Sequence, residues 1–246
     1  MPPLIIAHRG DSAHRPENTL ASFAGALELG LQLVELDVQL TRDGHVVVLH
    51  DPTVDRTTDG SGDVGGLTLA ELRRLSAGYP AHFGATHAGE RVPTLAEALA
   101  LLRGRGRVMI EIKRDSVGED PLGGIEARTL AEVRKAGMER EVALLSFDRR
   151  ALLRCLEQAP DITRGHLFYR ATIEDVIEGA RAVASTLVLP EKGMLSDAFC
   201  ALARDAGLML ATWVVDDVEE LRQLERFDLY GVASNRPGVL LEALAG

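Results

Sequence analysis

Two short apolar runs each carry a pair of charged residues spaced two apart. Glu35 and Asp37 lie within Leu33–Leu40, and Glu111 and Lys113 lie at the end of Val108–Ile112. On an extended strand, side chains two apart share a face. Each pair therefore points one way, while Leu36, Val38, Ile110 and Ile112 point the other. Charges on the inner face of a sheet are costly unless they are paired or bound to metal. Three carboxylates from two adjacent strands form a set of oxygen ligands suited to a hard cation. Zn²⁺ usually recruits more His or Cys, so one divalent ion, Mg²⁺ or Ca²⁺, is the expected occupant. Three further groups of residues stand at strand ends: His8-Arg9-Gly10 after Leu4–Ala7, His50-Asp51 after the alternating stretch His45–His50, and Trp213.

Taken singly, these residues have plainer readings. Glu35 could be a paired core charge, Asp37 a loop cap, and Glu111 with Lys113 a simple cross-barrel ion pair. Their convergence with two histidines and an arginine at one end of the strands argues for a site. His14, His45, His82, His87 and His166 are expected in loops or turns, away from carboxylates in register, as surface or structural residues.

Positioning such a cluster requires parallel strands that end together. The chain supplies eight short apolar runs: Leu4–Ala7, Leu33–Leu40, Val108–Ile112, Val142–Ser146, Thr163–Phe168, Thr186–Leu189, Met209–Val214 and Gly231–Ser234. Amphipathic helical stretches alternate with them, and an eighth closes the chain. Strand–helix alternation implies a parallel sheet, and eight units imply closure into a single (β/α)8 TIM barrel. An open doubly wound sheet is the alternative, weakened because no Gly-rich dinucleotide loop follows any run. A length of 246 residues suits one barrel domain, whose active site lies at the C-terminal strand ends. Thr68–Glu71 and Thr94–Glu97 match the capping-box pattern at helix starts, and Pro237 suits the first turn of the last helix. One region breaks the alternation. Arg42-Asp43-Gly44 signals a tight turn into an antiparallel strand over His45–His50. Residues 51–92 then read as a small insertion at the barrel mouth after strand 2, too short and polar for an independent core, and act as a substrate-side lid.

Composition narrows the partners. The net charge is −10, and no Lys/Arg cluster exists to neutralise phosphates, so nucleic acid is excluded. No apolar run approaches a membrane span, and the first residues lack a basic start, so a cytoplasmic protein is expected. Cys155 and Cys200 read as small buried hydrophobes on helices, with no disulfide framework.

In order along the chain stand His8-Arg9-Gly10, Pro16-Glu17-Asn18-Thr19, Glu35-Leu36-Asp37-Val38, Thr41-Arg42-Asp43-Gly44 and His50-Asp51-Pro52. Pro93-Thr94-Leu95, Glu111-Ile112-Lys113, Ser146-Phe147 and Trp213 follow. This ordered set spans nearly the whole chain and resembles the glycerophosphodiester phosphodiesterase family of the cytosolic bacterial type. The resemblance implies hydrolysis of a small-molecule glycerophosphodiester to sn-glycerol 3-phosphate and an alcohol. It implies that Glu35, Asp37 and Glu111 bind the metal and that His8 and His50 are the catalytic pair. Arg9 and Lys113 would face the phosphate, and Phe147 and Trp213 would wall the glycerol end. The first nucleophile it implies is the substrate's own 2-hydroxyl, giving a cyclic phosphate that water then opens.

The sequence departs from the family near the last strand. An acidic residue commonly precedes Arg-Pro there, whereas this chain reads Ser234-Asn235-Arg236-Pro237, keeping the shape and losing the charge. Asp51 is expected either to orient His50 or to make a turn before Pro52. Glu17 and Asn18 are expected to fix the loop and cap the first helix. Two competing functions remain. A phospholipase of the C or D type would need an apolar rim, and the insertion, with Tyr79 and Phe83 but no apolar stripe, gives no membrane-inserting face. A non-catalytic binder of polyol phosphates would have lost a carboxylate or a histidine, and all are present.

Overall fold

Residues 2–245 are described by a computed structural model. The strands are β1 (Leu4–His8), β2 (Leu33–Leu40), β3 (Val46–Val48), β4 (Arg107–Ile112), β5 (Val142–Ser146), β6 (Thr163–Phe168), β7 (Leu187–Pro190), β8 (Met209–Thr212) and β9 (Gly231–Ser234). Their order in the sheet is β1-β9-β8-β7-β6-β5-β4-β2-β3, and β1 also pairs with β2. Every pairing is parallel except β2 with β3, so eight parallel strands close into a TIM barrel and β3 is extra. The expected strand boundaries hold to within two residues. The run expected to reach Val214 ends as a strand at Thr212, with Trp213 joined to Glu191 by a single bridge.

The helices are α1 (Leu20–Glu28), α2 (Leu69–Leu72), α3 (Pro80–Phe83), α4 (Leu95–Leu102), α5 (Ile125–Ala136), α6 (Arg149–Gln158), α7 (Ile173–Ala182), α8 (Asp197–Asp205), α9 (Val218–Leu224) and α10 (Pro237–Ala245). Eight of them follow the eight barrel strands, and the short α2 and α3 belong to the mouth insertion. Both expected capping boxes form. Thr68 and Thr94 accept from the backbone N–H of Glu71 and Glu97, whose carboxylates bond back. These reciprocal bonds satisfy amides that helix starts leave without partners. None of the helices is long and apolar enough to cross a membrane, among the described residues.

The pleat divides the strand residues as their spacing predicts. Leu36, Val38, Ile110 and Ile112 pack outward against the helices, in one large apolar layer. Ile6, Leu33, Met109, Leu145, Leu187 and Leu189 fill the barrel interior. Two residues above Leu33 and Met109 on the same inner face stand Glu35 and Glu111, and Asp37 is higher still on β2. The charged cluster thus rests on an apolar floor that closes the barrel beneath it.

β2 is the longest strand, and its length sets up the mouth. Leu33–Val38 pairs with β4, while Val38–Leu40 overruns the barrel and pairs antiparallel with β3. The segment after β3 is less polar in effect than its sequence suggests. Val47 and Leu49 join Val54, Val64, Leu72, Ala77 and Val92 in a small buried cluster of their own. Those residues occur singly between turns, without a period that would have marked them as core.

Candidate active site

β2 and β4 bring Glu35, Asp37 and Glu111 together. Asp37 and Glu111 are register partners, and one ligand oxygen from each of the three carboxylates lies within 4.8 Å of the others. All three are buried. Asp37 Oδ1 has no hydrogen-bond donor, although Lys113 Nζ stands 3.4 Å away. Lys113 instead donates to Glu111 at 2.7 Å. Asp37 Oδ2 accepts from Asn18 Nδ2 at 2.8 Å and sits 3.2 Å from Arg9 Nε. Burial pushes the Glu111 carboxyl up to about 7, with Asp37 adding to it, and holds Glu35 well above the ordinary carboxylate range with Asp37 and Glu111 beside it. Burial acts the same way on Asp37, but Arg9 and Lys113 outweigh it and hold that carboxyl far down. Three close oxygens, one lacking a donor, fit a hard divalent cation of the kind expected. Among the described residues this is the only cluster of three or more His, Cys, Asp or Glu side chains placed to share an ion.

His8, at the end of β1, is the register partner of Glu35, and its Nε2 lies 3.9 Å from Glu35 Oε2. Its Nδ1 meets Asn235 Oδ1 at 2.7 Å. Asn235 in turn is held by Asp216, which accepts from its side-chain and backbone N–H at 2.8 and 2.7 Å. The charge that the sequence lacks at position 235 is therefore supplied from 19 positions earlier in the chain, by Asp216 behind Asn235. Burial, reinforced by Arg9, depresses His8 to about 4, so the imidazole is neutral near pH 7. His50, just beyond β3, has Nδ1 2.6 Å from Asp51 Oδ1, so Asp51 does orient it. Burial lowers His50 as well, against the opposing pull of Asp37.

Backbone conformation places Arg9. Arg9 and Gly10 both have positive φ, 59° and 86°, which turns the chain sharply out of β1. A Cβ on Gly10 would come within 2.6 Å of the Ser22 backbone, so only glycine fits. In this structure Arg9 and Lys113 lie against carboxylates. Arg9 Nη1 donates to Glu17 Oε1 at 2.8 Å.

Beside the carboxylates opens a cleft of about 730 Å³ lined by Glu111, Lys113, Phe147, His166, Tyr169 and Trp213. The Phe147 and Trp213 rings meet edge to face, 5.6 Å apart at 87°. Trp213 Nε1 donates to Leu189 O at 2.9 Å, fixing the indole plane. Tyr169 extends the wall, 6.4 Å from Trp213.

A profile of the glycerophosphoryl diester phosphodiesterase family matches residues 8–239. This chain belongs to that family. It is 37% identical to the glycerophosphodiester phosphodiesterase of Caldanaerobacter subterraneus subsp. tengcongensis, over 98% of this chain and 97% of that protein. A phosphodiesterase from Oleispira antarctica, solved with its product sn-glycerol-3-phosphate, superposes with a TM-score of 0.87 at 28% identity, covering 99% of this chain and 97% of that one. The glycerophosphodiester phosphodiesterase of Agrobacterium tumefaciens gives 0.84 at 29% identity, covering 98% and 99%.

The sequence points to nine residues as the site: His8, Arg9, Glu35, Asp37, His50, Glu111, Lys113, Phe147 and Trp213. The fold gathers all nine at the C-terminal ends of the strands. Other expectations need correcting. Thr19, not Glu17 or Asn18, caps α1. Asn18 grips Asp37, also accepting its backbone N–H at 3.2 Å, and Glu17 bridges Arg9 and Arg56. His166 is not in a loop. It is buried on β6 and lines the cleft. His14 and His45 are exposed, yet each has a nearby carboxylate, Asp11 at 2.9 Å and Asp43 at 3.8 Å. Sequence reading missed Asp216, Arg56 and Tyr169, whose roles depend on partners far away in the chain.

Proposed function

We propose that this protein hydrolyses glycerophosphodiesters to sn-glycerol 3-phosphate and an alcohol, with a divalent cation held by Glu35, Asp37 and Glu111 and with His8 and His50 as the acid–base pair. Family membership carries the reaction class, a phosphoric diester hydrolase. The observation that carries the chemistry is the set of three buried carboxylates within 4.8 Å, flanked by His8 on one side. Carboxyls this deep, two of them with raised affinity for protons, are arranged for a positive charge that Arg9 and Lys113 only partly supply.

When bound, the cation supplies Lewis-acid polarisation of a phosphoryl oxygen. The chain's own groups do the rest. Arg9, held by Glu17 and Asp37, offers its remaining N–H groups to the phosphate oxygens, and Lys113 adds a point charge. His8 and His50 hold their Nδ1 atoms against Asn235 and Asp51, which leaves each Nε2 to move a proton. One takes the proton from the attacking hydroxyl and the other delivers one to the leaving alkoxide. Phe147 and Trp213 wall the three-carbon glycerol end, while the leaving alcohol extends toward residues 51–92, which act as a lid. A cytoplasmic setting is part of this reading.

The test is release of glycerol 3-phosphate from several glycerophosphodiesters. Chelator should abolish it, and single additions of Mg²⁺ or Ca²⁺ should restore it. Full turnover in chelator, with no residual metal by elemental analysis, would refute the metal reading. No release with any divalent ion would refute the substrate.

A further inference from the structure

Arg56 belongs to the mouth insertion, outside the barrel strands, yet its guanidinium reaches two carboxylates on the site's rim. Nε and Nη2 donate to Asp51 Oδ2 and Oδ1 at 2.7 and 3.1 Å. Nη1 and Nη2 donate to Glu17 Oε2 and Oε1 at 2.7 and 2.8 Å. Both carboxylates are gripped through both oxygens. Each then touches a residue of the proposed machinery: Asp51 Oδ1 meets His50 Nδ1 at 2.6 Å, and Glu17 Oε1 accepts from Arg9 Nη1 at 2.8 Å. Arg9 closes the series against Asp37. An unbroken line of polar contacts thus runs from His50 through the insertion to a carboxylate of the cation cluster.

The segment that carries Arg56 is built to hold still. Val54 is fully buried in the insertion's apolar cluster. Its carbonyl accepts from both the backbone N–H and the hydroxyl of Thr58, at 3.1 and 2.7 Å, closing the turn around Arg56. The Tyr79 ring lies 5.6 Å from the guanidinium carbon and covers its face. Edges and face of the fork are therefore all engaged.

We infer that Arg56 is a positioning residue through which the mouth insertion sets the orientation of both His50 and Arg9. This inference rests on the catalytic roles proposed above for those two residues. Without Arg56, Asp51 and Glu17 would be neighbouring like charges with no shared counterion. Asp51 would be free to leave His50 Nδ1, releasing the ring to rotate and change tautomer. Lysine cannot replace it, because a point charge on a flexible stem cannot bind two carboxylates in two-pronged fashion. The insertion is thereby more than a cover, since its folding and the alignment of the proton-transfer groups become one event.

The experiment compares Arg56→Ala, Arg56→Lys and His50→Ala in the intact, metal-loaded enzyme, by steady-state kinetics on a glycerophosphodiester with and without added guanidinium ion. Arg56→Ala should lose roughly 10–100-fold in kcat, as is usual for residues that orient others, with KM and metal content little changed. Guanidinium ion should restore part of that loss and none of the loss in His50→Ala. Arg56→Lys, which retains charge and bulk and therefore guards against simple misfolding, should remain as slow as the alanine variant. Wild-type kcat in Arg56→Lys would overturn the inference, as would a loss in Arg56→Ala that guanidinium leaves untouched. A fully active His50→Ala would instead remove the catalytic reading on which the inference stands.

Discussion

The Nδ1 of His8 faces the Oδ1 of Asn235 at 2.7 Å, and the amide of Asn235 cannot turn over, because its Nδ2 donates to Asp216 at 2.8 Å. An amide oxygen only accepts, so the His8 proton sits on Nδ1 and the lone pair of the neutral ring sits on Nε2. Exchanging the two side chains, Asn235→Asp with Asp216→Asn, keeps the hydrogen bonds and moves the carboxylate next to the imidazole. A neighbouring carboxylate favours the protonated ring and raises its pKa from the depressed value near 4. Whichever limb of the pH–kcat/KM profile belongs to His8 should therefore move to higher pH. An unchanged profile in the folded double variant would show that position 235 does not tune this histidine.

Removing the imidazoles gives a larger effect. His8→Ala and His50→Ala should each reduce turnover by roughly 10²–10⁴-fold, the usual contribution of a positioned acid or base. Both should keep the wild-type circular dichroism and melting transition. Wild-type turnover in either would exclude that residue from proton transfer.

The buried glutamates make cation binding dependent on pH. In the ion-free protein Glu111 is raised to about 7 and Glu35 well above 4.5, so both hold protons that the unfolded chain releases. Their contribution to stability is fully present below the unfolded value and is lost as pH rises through the folded one. A cation must displace those protons, so its stabilising effect should grow over the same window. The rise in Tm on adding Mg²⁺ or Ca²⁺ should thus be small near pH ~5 and large near pH ~8. An equal shift at both pH values would mean that the ion binds elsewhere.

The aromatic wall is tested by substrate. Trp213→Ala should lower kcat/KM for glycerophosphodiesters far more than for an aryl phosphodiester that has no glycerol to pack against it. Uniform loss on both would point instead to Trp213 as a plug of the barrel top. Wild-type enzyme should gain nothing from lipid vesicles, and a preference for intact phospholipid over its deacylated counterpart would favour the phospholipase reading.

Much of this site is written in strand periodicity. Glu35, Asp37, Glu111 and Lys113 could be assigned to the inner face because the pleat repeats every two residues and their outward neighbours are uniformly aliphatic. His8, His50 and Trp213 were recognisable as strand-end residues of a barrel. The supporting residues were not. Asn18 reaches Asp37 across 19 positions, Arg56 reaches Glu17 across 39, and Asn235 reaches His8 across 227. No local pattern encodes such pairings, which exist only after the strands have closed. His166 lies inside the run Thr163–Phe168, so a loop placement conflicts with that strand, and His166 itself pairs in register with Ser146 of β5 and Val188 of β7.

The junction of β1 with β9 has a consequence for how the protein acquires activity. Leu4–Ala7 pairs with Gly231–Ser234, the largest separation along the chain that any strand pairing here spans. Contacts of this kind are slow to form, because a long loop must close before they bring any gain. Glu35, Asp37 and Glu111 are brought together by β2 and β4 alone, across a much shorter stretch of chain. His8 meets Asn235 only across the β1–β9 junction, over 227 positions. The carboxylate cluster and the fixed orientation of His8 therefore depend on different seams of the barrel, so a change that loosens the β1–β9 seam should disturb the histidine and leave the carboxylates grouped.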